Sequence, residues 1–239
     1  MAPPTSRQRR SAAIVKGLLA VTLAAPLLVF VAVLGTRSGV WDWRIGHDVL
    51  AVRIGGWLAL AGGAAALGAI AFVIGDFRRS WMFAALAVAA AVATLWIYGF
   101  QSRWGTSVGG APDVSTDPAD PPGYADRILT ARTATGAVPV DHWAGQSDGC
   151  RLGGAIPTQA APGAAAWALE NAGFRVLGAG VGRAEGIHEG FWFGFTHDAV
   201  IRIRPGQTDV RVTGREDRDD GGEACRLARA ILAGLQDGR

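Results

Sequence analysis

Three long apolar runs occupy the first hundred residues, and shorter alternating or helical-period patterns fill the rest. Residues 17–35 run for 19 positions without a charge, residues 54–75 for 22 and residues 81–100 for 20. At a rise of about 1.5 Å per residue, roughly 20 helical residues cross the hydrocarbon layer of a bilayer. Three uncharged runs of this length predict three transmembrane helices rather than buried helices of a soluble fold. Arg7, Arg9 and Arg10 ahead of the first run would also suit the basic end of a signal peptide. The run is long for one, and Leu34-Gly35-Thr36 lacks the small-x-small cleavage pattern, which weighs toward an uncleaved span. Cleavage would leave the orientation of the later spans and of the C-terminal domain unchanged.

Residues 101–123 carry four prolines and four glycines in 23 positions, which predicts a linker, with Pro118, Pro121 and Pro122 excluding a helix. Residues 124–239 form the remaining domain, large enough for one modest core. Residues 158–172 predict a helix with Pro162 in its first turn and Gly173 as its stop. Residues 174–177 alternate briefly as a strand. In residues 186–195, a strand would place Ile187, Glu189, Phe191, Phe193 and Phe195 on one face. Residues 199–204 and 208–215, joined by Pro205-Gly206-Gln207, predict a hairpin. Asp219 or Asp220 then caps a last helix over residues 221–236, its apolar face built from Ala224, Ala228, Ile231, Leu232 and Leu235. The fold class expected is a membrane-anchored α+β protein. Three N-terminal spans precede a small domain with a mostly antiparallel sheet and two helices.

Charge sharpens this division. Residues 1–100 hold nine Lys/Arg against three Asp/Glu, whereas residues 101–239 hold fourteen Arg against seventeen acids. The sequence pI of about 9.4 therefore reflects membrane flanks and not a basic domain, which argues against nucleic acid as a partner. The tail carries Arg7, Arg9, Arg10 and Lys16, and the short loop 76–80 carries Arg78 and Arg79. The opposite side receives Arg37, Arg44, Arg53 and Arg103, so the bias puts the N-terminus in the cytoplasm and the C-terminal domain in the periplasm. Trp41, Trp43, Trp81, Trp96 and Tyr98 fall near span ends, as interfacial aromatics do. Gly55, Ala59 and Gly63 form one small-residue stripe, and Ala85, Ala89 and Ala93 another. Either a tight hairpin, an oligomer contact or plain abundance of Ala and Gly accounts for them. No Asp, Glu, His, Lys or Arg lies inside a span, which favours an anchor over a transporter.

The stretch Asp113-Val-Ser-Thr-Asp-Pro-Ala-Asp-Pro-Pro122, with Ile156-Pro-Thr158, Gly190-Phe-Trp-Phe-Gly-Phe195 and Asp198-Ala-Val-Ile-Arg-Ile203, resembles the family catalogued as domain of unknown function 1499. The segment from Arg215 to Leu227 is similar to that family's ending, where an acidic residue and a glycine lead into an Arg-bearing helix. Glu223 stands where the family pattern has Asn, so no polar role is carried to that position. The resemblance covers roughly residues 113–235. It implies a membrane-anchored bacterial architecture and no activity.

Candidate chemistry is sparse. Arg202 and Arg204 share one strand face, and Asp209, Arg211, Thr213 and Arg215 share one face of the next. Closing the hairpin around Gly206-Gln207 would set Arg204 against Asp209 and Arg202 against Arg211. An anion would relieve the opposed arginines, and an ordinary solvated sheet face is the alternative. Phe191, Phe193 and Phe195 read as core or as the lining of a lipid pocket. Cys150 and Cys225, 75 positions apart, form either one disulfide in an oxidising compartment or leave Cys225 as a buried thiol. His142, His188 and His197 are scattered, and neither a metal nor a cofactor is expected. Gly178-Ala-Gly180-Val-Gly182 resembles a dinucleotide loop, but a strand-like run follows it, so it reads as a turn.

These readings converge on a non-enzymatic inner-membrane protein with a periplasmic interaction or structural domain. Its partners would be the lipid bilayer and an envelope protein or an anionic lipid. The alternative is a carrier or sensor of a lipid or other anionic ligand. An envelope hydrolase would need catalytic groups converging from distant positions.

Overall fold

With no side chain available to bond them, the amides of the apolar runs satisfy one another as helix. The computed structural model describes residues 6–73, 77–108, 112–142 and 150–237. It divides into two units, one up to Gln101 and one from Ser102. The first unit is helical. Helix α1 spans Ser6–Arg37, α2 Gly55–Val73 and α3 Phe77–Val108. Three stretches, Ala13–Arg37, Arg44–Val73 and Trp81–Gly99, are long and apolar enough to cross a membrane.

Two loops are shorter than the charge pattern suggests. Arg44–Ile54 winds as a π-helix straight into α2, so most of the polar segment between the first two runs is helical. Phe77–Ser80 is the first turn of α3 rather than loop. Gly75 and Asp76 lie outside the described residues.

Small residues set the packing of α1 on α2. Pro26 has no N–H for the Thr22 carbonyl, and α2 approaches at that point. The Thr22 hydroxyl bonds the carbonyls of Leu18 (3.0 Å) and Gly62 (3.3 Å). A Cβ at Gly62 would stand 3.2 Å from Thr22 Cα, so backbone meets backbone only because residue 62 is glycine. Gly55 and Ala59 are also buried, but Gly55 faces the Tyr98 side chain of α3 and Gly63 faces Leu95, so of the glycines on that part of α2 it is Gly62 that meets the α1 backbone. On α3 the buried face is Ala84, Ala87 and Ala91, packed with Val15, Ala66 and Ala69. The Ala85–Ala89–Ala93 stripe points outward and lines an open apolar groove of about 760 Å³ beside Ile70, Val88 and Trp96.

In the second unit, five antiparallel strands form one sheet in the order β1-β5-β4-β3-β2. They are β1 Asp113–Ser115, β2 Arg175–Ala179, β3 Arg183–Glu189, β4 Thr196–Arg204 and β5 Gln207–Gly214. Helices α5 (Pro162–Asn171) and α6 (Glu223–Asp237) cover one face. Ile201, Val210 and Val212 meet Leu169, Leu227 and Ile231 in the main core there. Asp220 caps α6, accepting the N–H groups of Gly222 (2.8 Å) and Ala224 (2.7 Å). Arg226 and Arg229 point away from the buried side.

Three expectations change. Residues 113–115, read as linker, are edge strand β1, and Pro112 already bonds the sheet through Gly214 N–H (2.6 Å). The domain therefore starts ahead of residue 124, while positions 109–111 lie outside the described residues. A third helix, α4 (Asp126–Ala134), lies over the second face of the sheet. Finally, β3 stops at Glu189, and residues 190–195 are a turn closed by Gly190 N–H to Phe195 O (2.8 Å). Gly194 takes a φ of 74° inside that turn, a conformation that ends the strand.

Candidate functional site

Alternation along β3, β4 and β5 puts Glu185, Asp198, Arg202, Asp209 and Arg211 on one face, where antiparallel sheets usually meet water. Here that face is covered. Tyr124, Ile128 and Val200 form a small apolar cluster on it, and the charged side chains around the cluster pair with one another. The expected solvated face is a buried ladder of ion pairs.

Each rung centres on a carboxylate. Asp198, fully buried, takes Arg215 in a bidentate fork (Nε–Oδ2 2.9 Å, Nη2–Oδ1 2.7 Å) and Arg132 Nη1 at 2.8 Å. Arg132 also donates to the carbonyls of Val138 and Gly214, tying α4 to β5. Asp113 holds Arg211 in a second fork (2.9 and 2.7 Å) and accepts the Thr213 hydroxyl at 2.8 Å. Glu185 accepts the Ala125 N–H at the start of α4 (2.7 Å) and Arg127 Nη2 (3.0 Å). Asp209 takes Arg204 Nη2 at 2.7 Å and Arg202 Nε at 3.2 Å. Beneath α4, the Tyr124 hydroxyl bonds Thr213 Oγ1 (2.9 Å) and the Asp198 carbonyl (3.0 Å), and burial pushes its pKa well above the ordinary phenol value.

The structure thus places all four candidate anion-binding arginines, Arg202, Arg204, Arg211 and Arg215, against carboxylates. The hairpin turns on Pro205-Gly206 alone. Arg202 therefore faces Asp209, and Val200 faces Arg211. Moving the register by two residues along β5, which keeps the same side chains on this face, replaces the expected Arg202–Arg211 opposition with an ion pair. An anion entering here would have to displace a carboxylate from each guanidinium it met.

A second cluster lies where β3 and β4 turn and β5 ends. His197 is buried, with Nε2 3.1 Å from Asp220 Oδ2. A carboxylate only accepts, so Nε2 is the donor in this contact, and Nδ1 has no hydrogen-bond partner among the described residues. His188 donates through Nδ1 to the Gly173 carbonyl (2.9 Å), and its Nε2 is 3.9 Å from Glu223. His142 Nε2 is 3.2 Å from Asp217. Glu216 accepts the Thr196 N–H (3.0 Å), and burial raises its carboxyl pKa. Three histidines that are scattered in sequence therefore each meet a carboxylate of residues 217–223. Among the described residues, no three His, Cys, Asp or Glu side chains group closely enough to hold a metal ion.

The aromatic turn adjoins this cluster. Phe193 and Phe195 stack at 5.7 Å, with the Arg218 guanidinium over Phe195 at 4.1 Å. Phe191 packs edge-on to Trp192 at 5.4 Å, and both face solvent, Phe191 80% and Trp192 61% exposed. The shared Phe face expected from the sequence does not form, because the strand carrying it ends at Glu189. The bracketing glycines, Gly190 and Gly194, were the available signal. Cys150 and Cys225 are joined in a disulfide with Cα atoms 5.8 Å apart, fastening the segment before α5 to α6.

No family model matches the chain, and no curated protein or solved structure matches it either.

Proposed function

We propose that the chain is an inner-membrane protein with its N-terminus in the cytoplasm and three helices anchoring a periplasmic α+β domain. On this reading it is a membrane-anchored member of the domain of unknown function 1499 family, and its periplasmic domain is an interaction or structural module without catalysis. One observation carries the reading. The arginines that were candidates for binding a small anion are instead paired within the domain, with Asp198 and Asp113 gripping Arg215 and Arg211 inside the fold. Buried forks of this kind fix α4 and β1 on the sheet and leave the surface to contact a partner. The charge bias of the flanks and the bridged cysteines, which suit an oxidising compartment, support the periplasmic placement.

Two measurements test it. A reporter that folds only outside the cytoplasm, fused after Arg239, is expected to be active, and activity of a cytoplasm-only reporter at the same point would overturn the topology. Native mass spectrometry of the full chain released from mild detergent is expected to give the polypeptide mass with bound lipid of mixed composition. A single stoichiometric adduct surviving lipid exchange would replace this reading with that of a carrier.

A further inference from the structure

The π-helix Arg44–Ile54 that leads into α2 is a rare winding, and such turns recur at functional sites. The Tyr98 hydroxyl of α3 bonds the Ala51 carbonyl within it (2.6 Å) and ties the two helices together at this end. Beside that bond the surfaces of α2 and α3 part into a groove of about 350 Å³, at the small end of the size range of ligand clefts. Arg53, Gly56, Trp57 and Leu60 line it at helical spacings of three and four residues, and Leu95 and Tyr98 line it from α3. Nothing fills the groove at Gly56, where a Cβ would meet only Tyr98 Cε1, at 4.0 Å.

Of these six residues only Arg53 is charged. Its guanidinium is exposed and meets no carboxylate among the described residues. The two acids of the preceding segment are engaged elsewhere, Asp42 3.7 Å from Arg44 and Asp48 2.7 Å from His47. Arg53 stands where the uncharged run 54–75 begins, so a bilayer crossed by that run sets it level with the headgroups. A guanidinium there calls for an anion, and its planar fork matches phosphate through two parallel N–H donors. Trp57, four residues on and 72% exposed, is an aromatic of the kind that sits at this boundary. Leu60, seven residues from Arg53, lies about 10 Å deeper along the helix. The groove therefore offers a cation at its mouth and an apolar track below it.

We propose that this groove seats one phospholipid, with the phosphodiester on Arg53 and one acyl chain laid along Leu60 and Leu95. The proposal rests on the reading that these helices span a membrane. Recognition is of the phosphate, so a choline or a glycerol beyond it is equally accepted, and the occupant follows the composition of the lipid supplied.

The test uses the full chain in mild detergent, titrated with dioleoylphosphatidylcholine and separately with dioleoylglycerol, which has the same chains and no phosphate. Native mass spectrometry counts the lipid retained. One phosphatidylcholine per chain is expected to stay bound under conditions that strip dioleoylglycerol. Arg53→Gln, at an exposed position, is expected to weaken retention at least about tenfold through loss of a charge-assisted contact. Gly56→Leu keeps the arginine, favours helix over glycine and fills the groove, and should weaken retention as much. Equal retention of dioleoylglycerol, or unchanged retention in either variant, would overturn the site. A lipid-free dimer mass would do so too, by putting a second copy in the groove. The spanning reading is checked separately, in phosphatidylcholine nanodiscs, on fluorotryptophan resonances assigned by Trp57→Phe and Trp96→Phe. Lipid with a nitroxide on its acyl chain is expected to erase both resonances, in Arg53→Gln as in the unaltered chain. Erasure with undiminished retention in Arg53→Gln would sink the site and keep the spanning helices, whereas survival of both resonances would sink the two together.

Discussion

Asp198→Ala is expected to unfold the C-terminal domain or bring it to the edge of unfolding. Asp198 has no solvent exposure and neutralises both Arg132 and Arg215, themselves almost wholly buried. Removing the carboxylate leaves two guanidinium groups in the interior with no counter-ion. Breaking one buried pair in this way costs about 3–5 kcal/mol, and two cations share this acid. Domains hold only about 5–15 kcal/mol in total. Asp198→Asn keeps the shape and loses the charge, so it should fall near the alanine variant. Arg202→Ala offers the control. Its partners Asp117 and Asp120 are reached by solvent, and its buried partner Asp209 keeps the shorter contact to Arg204 (2.7 Å), so the loss should stay near or below about 1 kcal/mol. Urea unfolding of the full chain in detergent, followed by near-ultraviolet circular dichroism, reads all three. Equal midpoints for Asp198→Asn and Arg202→Ala would show that the ladder does not hold the sheet.

Reducing the Cys150–Cys225 bridge is the second large effect expected. The bond closes a loop of 75 residues that contains α5 and strands β2 to β5. A loop of that length confines the unfolded chain enough to stabilise the fold by about 4 kcal/mol in the chain-entropy account. Cys225 sits in the core on α6, so the paired variant Cys150→Ala with Cys225→Ala also loses contacts there. The urea midpoint should fall on adding reductant, and the paired alanine variant should start low and not respond. A midpoint unchanged by reductant, with thiol labelling confirming reduction, would refute the prediction.

The parts legible in the sequence are those whose signal is local. Uncharged runs marked the three apolar helices, and alternation across Pro205-Gly206 marked the β4–β5 hairpin. Its register was not legible, since Gln207 belongs to the strand and pairs with Arg204. β1 is three residues long in a proline-rich stretch, and its pairing comes from β5, a hundred positions away. No local propensity reports such a partner. Helix α4 carries a mostly polar sequence and is held through Ile128 and Arg132, so it lacks the apolar stripe by which α6 announces itself. The histidine–carboxylate contacts join residues 23 to 75 positions apart, which spacing alone does not connect. For the cysteines, spacing left bridge and buried thiol equally open, and only the approach of α6 to residue 150 distinguishes them.

The place of β5 between β1 and β4 has a consequence for biogenesis. The first strand of the domain to be synthesised must wait for the last, and the Asp113–Arg211 fork joins residues 98 positions apart. Contacts of such separation form late, because the entropy of closing the intervening chain is lost before they form. A ribosome that has just released residue 115 has made an edge with nothing to pair to. On the proposed periplasmic placement, that order keeps the emerging polypeptide open until about a hundred further residues, through the end of β5, have followed. Truncation ahead of Gln207 would then leave a chain that is delivered but never closes.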